Sequence, residues 1–405
     1  MANRHSELPS TFAGLYRRLE EVILGNSGAD EFEEILKLLV LKIWADTNGY
    51  PHTEIDDIDE ANIILRKADN AWPSVLKDTR MQLTTNQYSK CAEALENFSF
   101  SATDYDLIDA VFEYVVNRKK KGDKGQYFTP RYVIEFCVRC LNINGLSNIA
   151  DPASGSGAFL YHAARANSVD ASYWGFDFDE TTVRIARLLK YISGVNDYYL
   201  FNVNSLLLPI SQPQELLLGE TERITTIEDC LRCNGGPSQF DAILTNPPFA
   251  GEVSEASILD HYDLSVDGKR AERDILFIER CVNLLKPHGR LAIVLPDNVF
   301  GRKSSEGVRK WILDKARIVG VIGLQRETFQ PHTSVKTSIL FLEKRSKKRH
   351  SDENIFFGIS EKSGKNSRGI VQYRTEPQGG QIVDCDLDEI AESFEAFRLS
   401  EGMDW

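Results

Sequence analysis

Apolar side chains recur at helical spacing through the first part of the chain. Phe12, Leu15, Tyr16, Leu19, Val22 and Ile23 form one stripe. Phe32, Ile35, Leu36, Leu39, Val40, Ile43 and Trp44 form a second, and Leu107, Ile108, Val111, Phe112, Val115 and Val116 a third. Positions three and four apart line one face of a helix, so each stripe predicts a buried helical face. Gly25, Gly28, Gly49 and Pro51 fall between the stripes, where helices are expected to stop. An N-terminal α-helical domain over residues 1–121 accounts for this pattern, with the basic run Arg118–Lys121 and Gly122 at its junction.

After Gly125 the period changes. Short β-rich runs appear at Asn148–Asp151, Tyr173–Asp177, Tyr198–Val203, Phe240–Thr245, Arg290–Leu295, Ile318–Ile322 and Thr337–Leu342. Helical stripes such as Thr181–Tyr191 and Asp274–Leu285 alternate with them, the pattern of a parallel sheet with crossover helices. The expected fold is α/β: a Rossmann-like, seven-stranded, mostly parallel sheet over residues 122–345, behind the helical domain. Pro213–Pro237 is polar and reads as an irregular insertion before the fourth strand. Lys344–His350 reads as a solvated basic run. A partly helical C-terminal appendage, residues 346–405, carries the stripe Leu387–Phe397.

Composition narrows the function classes. No apolar run approaches the roughly 20 residues of a membrane helix, and the N-terminus lacks the basic and apolar regions of a secretory signal. Seven cysteines, an odd number in 405 residues, fit free thiols in a reducing compartment, and a cytoplasmic chain without membrane partners is expected. Cys137 and Cys140 lie within a helical stripe, where thiols three apart are ordinary packing residues, and they stand far in sequence from Cys230 and Cys233, unlike the pairs of common zinc modules, so no metal site is expected. The net charge of −13 matters more. Phosphate contacts supply most non-specific nucleic-acid affinity, so an acidic chain needs a local basic cluster or a partner to grip DNA.

Four motifs carry candidate chemistry. Asp151-Pro152-Ala153-Ser154-Gly155-Ser156-Gly157 follows a strand and opens a helix, where glycines let the backbone turn sharply and approach a ligand. Alone it is equally a plain strand–helix turn. Asp177, in Gly175-Phe176-Asp177 at the end of the next strand, is placed for a carboxylate to accept two ribose hydroxyls, and the combination points to a nucleoside-containing cofactor. Asn246-Pro247-Pro248-Phe249 follows the fourth strand. An exocyclic amine such as adenine N6 must have both N–H protons held by acceptors before it can attack a methyl group. The Asn246 side chain and the Pro247 carbonyl can be those acceptors, Pro248 stiffens the turn, and Phe249 offers the base a stacking face. Gly125-Gln126-Tyr127-Phe128-Thr129-Pro130 precedes a helix; Thr129 as cap and Pro130 at the first position is a wholly structural reading of it.

In this order, the motifs resemble the gamma class of N6-adenine DNA methyltransferases, and the helical domain and tail resemble the modification subunit of type I restriction–modification systems. The resemblance implies S-adenosyl-L-methionine as cofactor, held by Tyr127, Phe128, Thr129, Asp151, Ala153, Ser154, Gly155, Ser156, Gly157 and Asp177. It implies that Asn204 faces the cofactor adenine where the family usually has aspartate, and that Asn246 borders both cofactor and target. It also implies that Phe329, in Glu327–Leu342, flanks a flipped adenine opposite Phe249. The implied partners are DNA, a separate specificity subunit, a second modification subunit and a restriction subunit. Two alternatives are weighed against this: a methyltransferase for RNA bases or protein amides, and a catalytically idle assembly subunit.

Overall fold

A computed structural model of the protein describes residues 4–25, 28–50, 57–96, 98, 100, 105–119, 128–209, 225–265, 269–347, 353–375, 380–403 and 405. The chain gathers into two compact units, Met1–Gly122 with Thr181–Val195, and Asp123–Glu180 with Asn196–Trp405.

The described part of the first unit is helical: α1 (Arg4–Leu24), α2 (Glu31–Asn48), α3 (Ile58–Ala71), α4 (Thr85–Glu96), α5 (Tyr105–Lys119) and most of the Glu180–Ser193 helix. The three apolar stripes fall on α1, α2 and α5, and Leu19, Ile35, Leu39, Ile43 and Phe112 are fully buried. α2 begins where the Asp30 carboxylate accepts from the Phe32 and Glu33 amides and ends at left-handed Gly49. Only Ala61, Ile64, Leu65 and Ala68 of α3 and Tyr88, Cys91 and Leu95 of α4 are buried, stripes too sparse to stand out in the sequence. The helix Glu180–Ser193 joins this unit through Arg184. That buried guanidinium makes two 2.8 Å bonds to Glu33 and a 2.7 Å bond to the Val75 carbonyl. Cutting Arg184 to alanine removes both short bonds to Glu33 and leaves that carboxylate the half-exposed Lys77 at 3.5 Å, so Arg184→Ala should destabilise this unit by about 3 kcal/mol. A lowered urea midpoint checks this, and an unchanged midpoint would show the pair to be dispensable.

The second unit is built on a sheet of β1 (Asn148–Asp151), β2 (Ser172–Asp177), β3 (Tyr198–Asn202), β4 (Phe240–Thr245), β5 (Leu285–Pro296), β6 (Ala316–Gly323), β7 (Thr337–Lys344) and β8 (Phe356–Ile359). The order is β8-β6-β7-β5-β4-β1-β2-β3, and neighbours are parallel except the two that pair with β7. The seven expected strands are all present. The eighth comes from the segment expected as an appendage, which instead extends the sheet beyond β6.

Alternation along β7 shows how the sheet is covered. Leu340 and Leu342 share one core with residues of the helices Ile227–Cys233, Arg273–Leu284 and Glu306–Lys315. Phe341 turns to the other face, packing against Phe136 of α6 (Arg131–Leu141) and Phe394 of the helix Leu387–Ser400. Covered on both faces between β1 and β5, β4 buries all six of its residues, Asp241 and Thr245 included.

Two local expectations change. The stretch read as an irregular insertion contains the helix Ile227–Cys233, started by a capping box of Thr226 and Asp229; residues 210–224 lie outside the described residues. The basic run at Lys344 is partly tied into the fold: Lys344 donates to the Leu285 carbonyl and Arg345 pairs with Glu353. Residues 348–350 and 120–127 lie outside the described residues. Among the described residues, no helix is long and apolar enough to cross a membrane.

Strand order locates the site. β2 and β3 lie to one side of β1, and β4 and β5 to the other, so the chain leaves β1 and β4 in opposite directions and opens a crevice at their C-terminal ends.

Candidate active site

The loop after β1 is shaped by its own hydrogen bonds. The Asp151 carboxylate accepts from the Ala153 amide, and the Ser154 amide reaches the Phe176 carbonyl of β2. Gly155 and Gly157 both take left-handed backbone, φ +52° and +85°, which L side chains adopt only at a cost. A Cβ at Gly155 would meet nothing within 4 Å, so its glycine answers to conformation and leaves the loop open to a ligand. The second glycine leads directly into α7 (Ala158–Ala166), and the Tyr198 hydroxyl holds its carbonyl at 2.7 Å. Burial lifts the Asp151 carboxyl to about 7; the Thr245 hydroxyl and Ala153 amide oppose that rise and Asp177 adds to it.

Asp177 is buried at the end of β2. One carboxylate oxygen accepts from the Gly155 amide at 2.9 Å and the other from the Asp179 amide at 2.9 Å. This is the physical link between glycine turn and acid: the carboxylate braces the loop across the crevice. A carboxylate offers about four lone-pair sites, more than these two amide bonds use. Gly175, two residues earlier, answers to packing, since a Cβ there would lie 2.6 Å from Leu200.

Two neighbours were not singled out in the sequence. Asn202 donates from its amide nitrogen to the carbonyls of Asp177 and Phe178, fixing the chain beyond the acid. Phe178 is 78% exposed, an aromatic ring left in solvent beside a buried carboxylate. No motif marks Asn202, but the apolar residue following the acid was a visible signal for Phe178. Asn204 is half-buried, and its side-chain oxygen accepts from the Leu206 amide at 3.1 Å.

The loop after β4 meets the segment before α6. Asn246 Nδ2 donates to Thr129 Oγ1 at 2.9 Å, across 117 residues of sequence. The Asn246 Oδ1 is buried and has no hydrogen-bond partner among the described residues, as is the case for Ser154 Oγ. Thr129 therefore does not cap α6: that helix starts at Arg131, with Pro130 at the cap position and no side-chain cap bond. The hydroxyl is instead spent on orienting an amide. Tyr127 lies outside the described residues, while Phe128 is half-buried. Pro247 is buried and Phe249 half-buried. Phe329, only 1% exposed, meets the Phe249 ring edge-on at 6.2 Å, so in this structure it backs Phe249 from inside.

A nucleoside cofactor with a charged tail fits these groups: a braced carboxylate for hydroxyls, an exposed aromatic face, an open glycine turn and the unpartnered Ser154 hydroxyl. Among the described residues no cluster of three His, Cys, Asp or Glu side chains gathers as a metal site. Cys137 and Cys140 are buried in α6, where burial pushes both thiols up.

Comparison with known proteins adds a family. Residues 103–394 match the N-6 DNA Methylase family. The type I restriction enzyme EcoEI methylase subunit of Escherichia coli is 28% identical over 257 residues, 62% of this chain and 49% of that protein. The EcoKI methylase subunit of Escherichia coli strain K12 is 27% identical over 252 residues, 59% of this chain and 44% of that protein. The chain thus spans about half the length of the curated relatives it matches. Among solved structures, the methyltransferase subunit of a type I restriction-modification system from Streptococcus thermophilus shares the fold. Its TM-score is 0.60 at 18% identity, over 96% of this chain and 93% of that one.

Proposed function

This chain belongs to the N-6 DNA Methylase family, and on that premise we propose that it transfers a methyl group from S-adenosyl-L-methionine to N6 of an adenine in DNA, as the modification subunit of a type I restriction–modification system. The observation that carries the reading is Asn246, whose Nδ2 is held by Thr129 while its Oδ1 is buried without a partner. A buried acceptor without a donor is costly, and a ligand that brings an N–H restores the bond.

The adenine amine supplies two such protons. Asn246 Oδ1 takes one and the Pro247 carbonyl the other, which localises the N6 lone pair toward the methyl donor. Phe249 stacks on the base, with Phe329 supporting it. When bound, S-adenosyl-L-methionine supplies an already activated sulfonium methyl, so the protein's task is positioning and charge complementarity. Asp177 would hold the cofactor's ribose hydroxyls, Phe178 would offer a stacking face to its adenine, and the Asn204 side-chain oxygen would accept from that adenine's amine. Tyr127, Phe128 and Thr129, with Asp151, Ala153, Ser154, Gly155, Ser156 and Gly157, frame the remainder.

Thr129→Val keeps the shape and removes the acceptor that orients Asn246. It should lower single-turnover methylation about tenfold, the cost of one net hydrogen bond near 1–1.5 kcal/mol. An unchanged rate would take Thr129 out of the positioning scheme.

The chain's acidity leaves unaided DNA binding weak, so a specificity subunit is the natural source of grip and sequence reading. The test is methylation of plasmid DNA by the purified chain, with and without a co-expressed specificity subunit, read by sequencing for N6-methyladenine. Methylation at one sequence only with the partner supports the reading; tight, site-specific methylation by the chain alone overturns the partner, and no modified adenine under either condition overturns the activity.

A further inference from the structure

A second polar cavity lies away from the crevice, between α6, α7 and the helix Leu387–Ser400. Its volume is about 520 Å³, within the roughly 300–1,000 Å³ of small-molecule sites. Four arginines line it, Arg131, Arg139, Arg165 and Arg398, against the two glutamates Glu135 and Glu395. In a chain of net charge −13, that is a local concentration of the opposite sign.

The decisive residue is Arg398. Its side chain is 4% exposed, yet its Nε and Nη1 are buried and make no hydrogen bond among the described residues. The guanidinium lies over the rings of Phe394 and Trp405, at 5.6 and 5.1 Å from their centroids. Ring contacts of this kind satisfy the faces of the group and leave its in-plane N–H edge unpaired. Two of the other arginines are loosely engaged. Arg139 stands 3.5 Å from Asp388 and 3.9 Å from Glu395, and Arg165 reaches the Tyr161 hydroxyl at 3.2 Å with no carboxylate at ion-pair distance among the described residues. Arg131 is paired with Glu135 at 2.8 Å, so that glutamate is already partly neutralised.

We propose that this cavity is a binding site for a compact phosphate-bearing small molecule, with Arg398 and Arg165 as the groups that take the phosphate. Guanidinium forks match phosphate oxygens two at a time, and Arg398 lines the cavity with N–H groups that have bonds still to make. The burial of Arg398 favours a small molecule over the backbone of a DNA duplex, whose phosphates stay on a continuous outer surface. Nothing in this site overlaps the residues assigned to methyl transfer.

Calorimetry on the full chain with pyrophosphate, and separately with a short DNA duplex, tests the proposal. Saturable pyrophosphate binding is expected, weakened at least about tenfold by Arg398→Gln and by Arg165→Gln, with S-adenosyl-L-methionine affinity unchanged. Arg165 is exposed, so its variant remains informative if Arg398→Gln fails to fold. Arg165→Lys, which keeps charge and loses the fork, should recover only part of the affinity. Absence of saturable binding at millimolar pyrophosphate overturns the site, as does binding that both glutamine variants retain. Loss of duplex binding alone in these variants overturns the small-molecule assignment in favour of a DNA-phosphate seat.

Discussion

Asn246→Ala is expected to abolish methyl transfer while leaving S-adenosyl-L-methionine binding within about twofold of wild type. The side chain makes one internal bond, from Nδ2 to Thr129, and presents a buried, unpartnered Oδ1. Neither atom carries the sheet, so folding should be nearly unchanged. The amine acceptor would be lost only for the reacting state, where preorganised polar groups commonly contribute about 10²–10³ in rate. Asn246→Asp is the informative companion: it keeps an acceptor and loses the donor to Thr129, so it separates acceptance from orientation. Single-turnover rates and equilibrium cofactor binding should be measured on the same preparations. Wild-type turnover by Asn246→Ala would place the chemistry elsewhere.

Asp177→Ala is expected to weaken cofactor binding by roughly ten- to a hundredfold, since hydrogen bonds to a charged group are worth about 1.5–3 kcal/mol. The loss has two parts. Two ribose hydroxyls lose their acceptor, and the Gly155 and Asp179 amides lose the carboxylate that braces the glycine loop. Asp177→Asn separates them, because one side-chain oxygen still accepts from one amide while the second oxygen has become a donor. Its affinity should fall between wild type and alanine. Calorimetric titration checks the series, with thermal melts on each variant to show that the sheet is intact. Equal binding by wild type and alanine would remove Asp177 from the cofactor site.

Phe178 would have escaped any reading based on motifs alone. Its neighbour Asp177 was legible because a carboxylate at the end of a second strand has few structural uses, whereas a phenylalanine after it is ordinary core by composition. Its place directly after the acid is a weak signal by itself; its exposure of 78% is what sets it apart from core, and exposure is a property of the folded chain. The Thr129 hydroxyl is the converse case. Sequence offered it a local task as a helix cap, and the fold gave it a distant one, because the start of α6 at Arg131 put Pro130 at the cap and left the hydroxyl to Asn246.

The sequence by itself determined what depends on neighbours along the chain. The 3.6-residue period placed α1, α2 and α5, and short β-rich runs placed the seven expected strands, since the character of each element is written in its own residues. The glycine turn at Gly155 and the turn at Asn246 were equally local, each a short run at a strand end. Tertiary structure alone decided what depends on partners far apart in sequence. It set the strand order that brings the β1 and β4 loops to one crevice and the pairing of β8 with β6. It also joined Arg184 to Glu33, 151 residues away, and gathered four arginines around one cavity. Such contacts follow from long-range packing and from the cost of burying a charge without a partner, and neither is a function of local pattern.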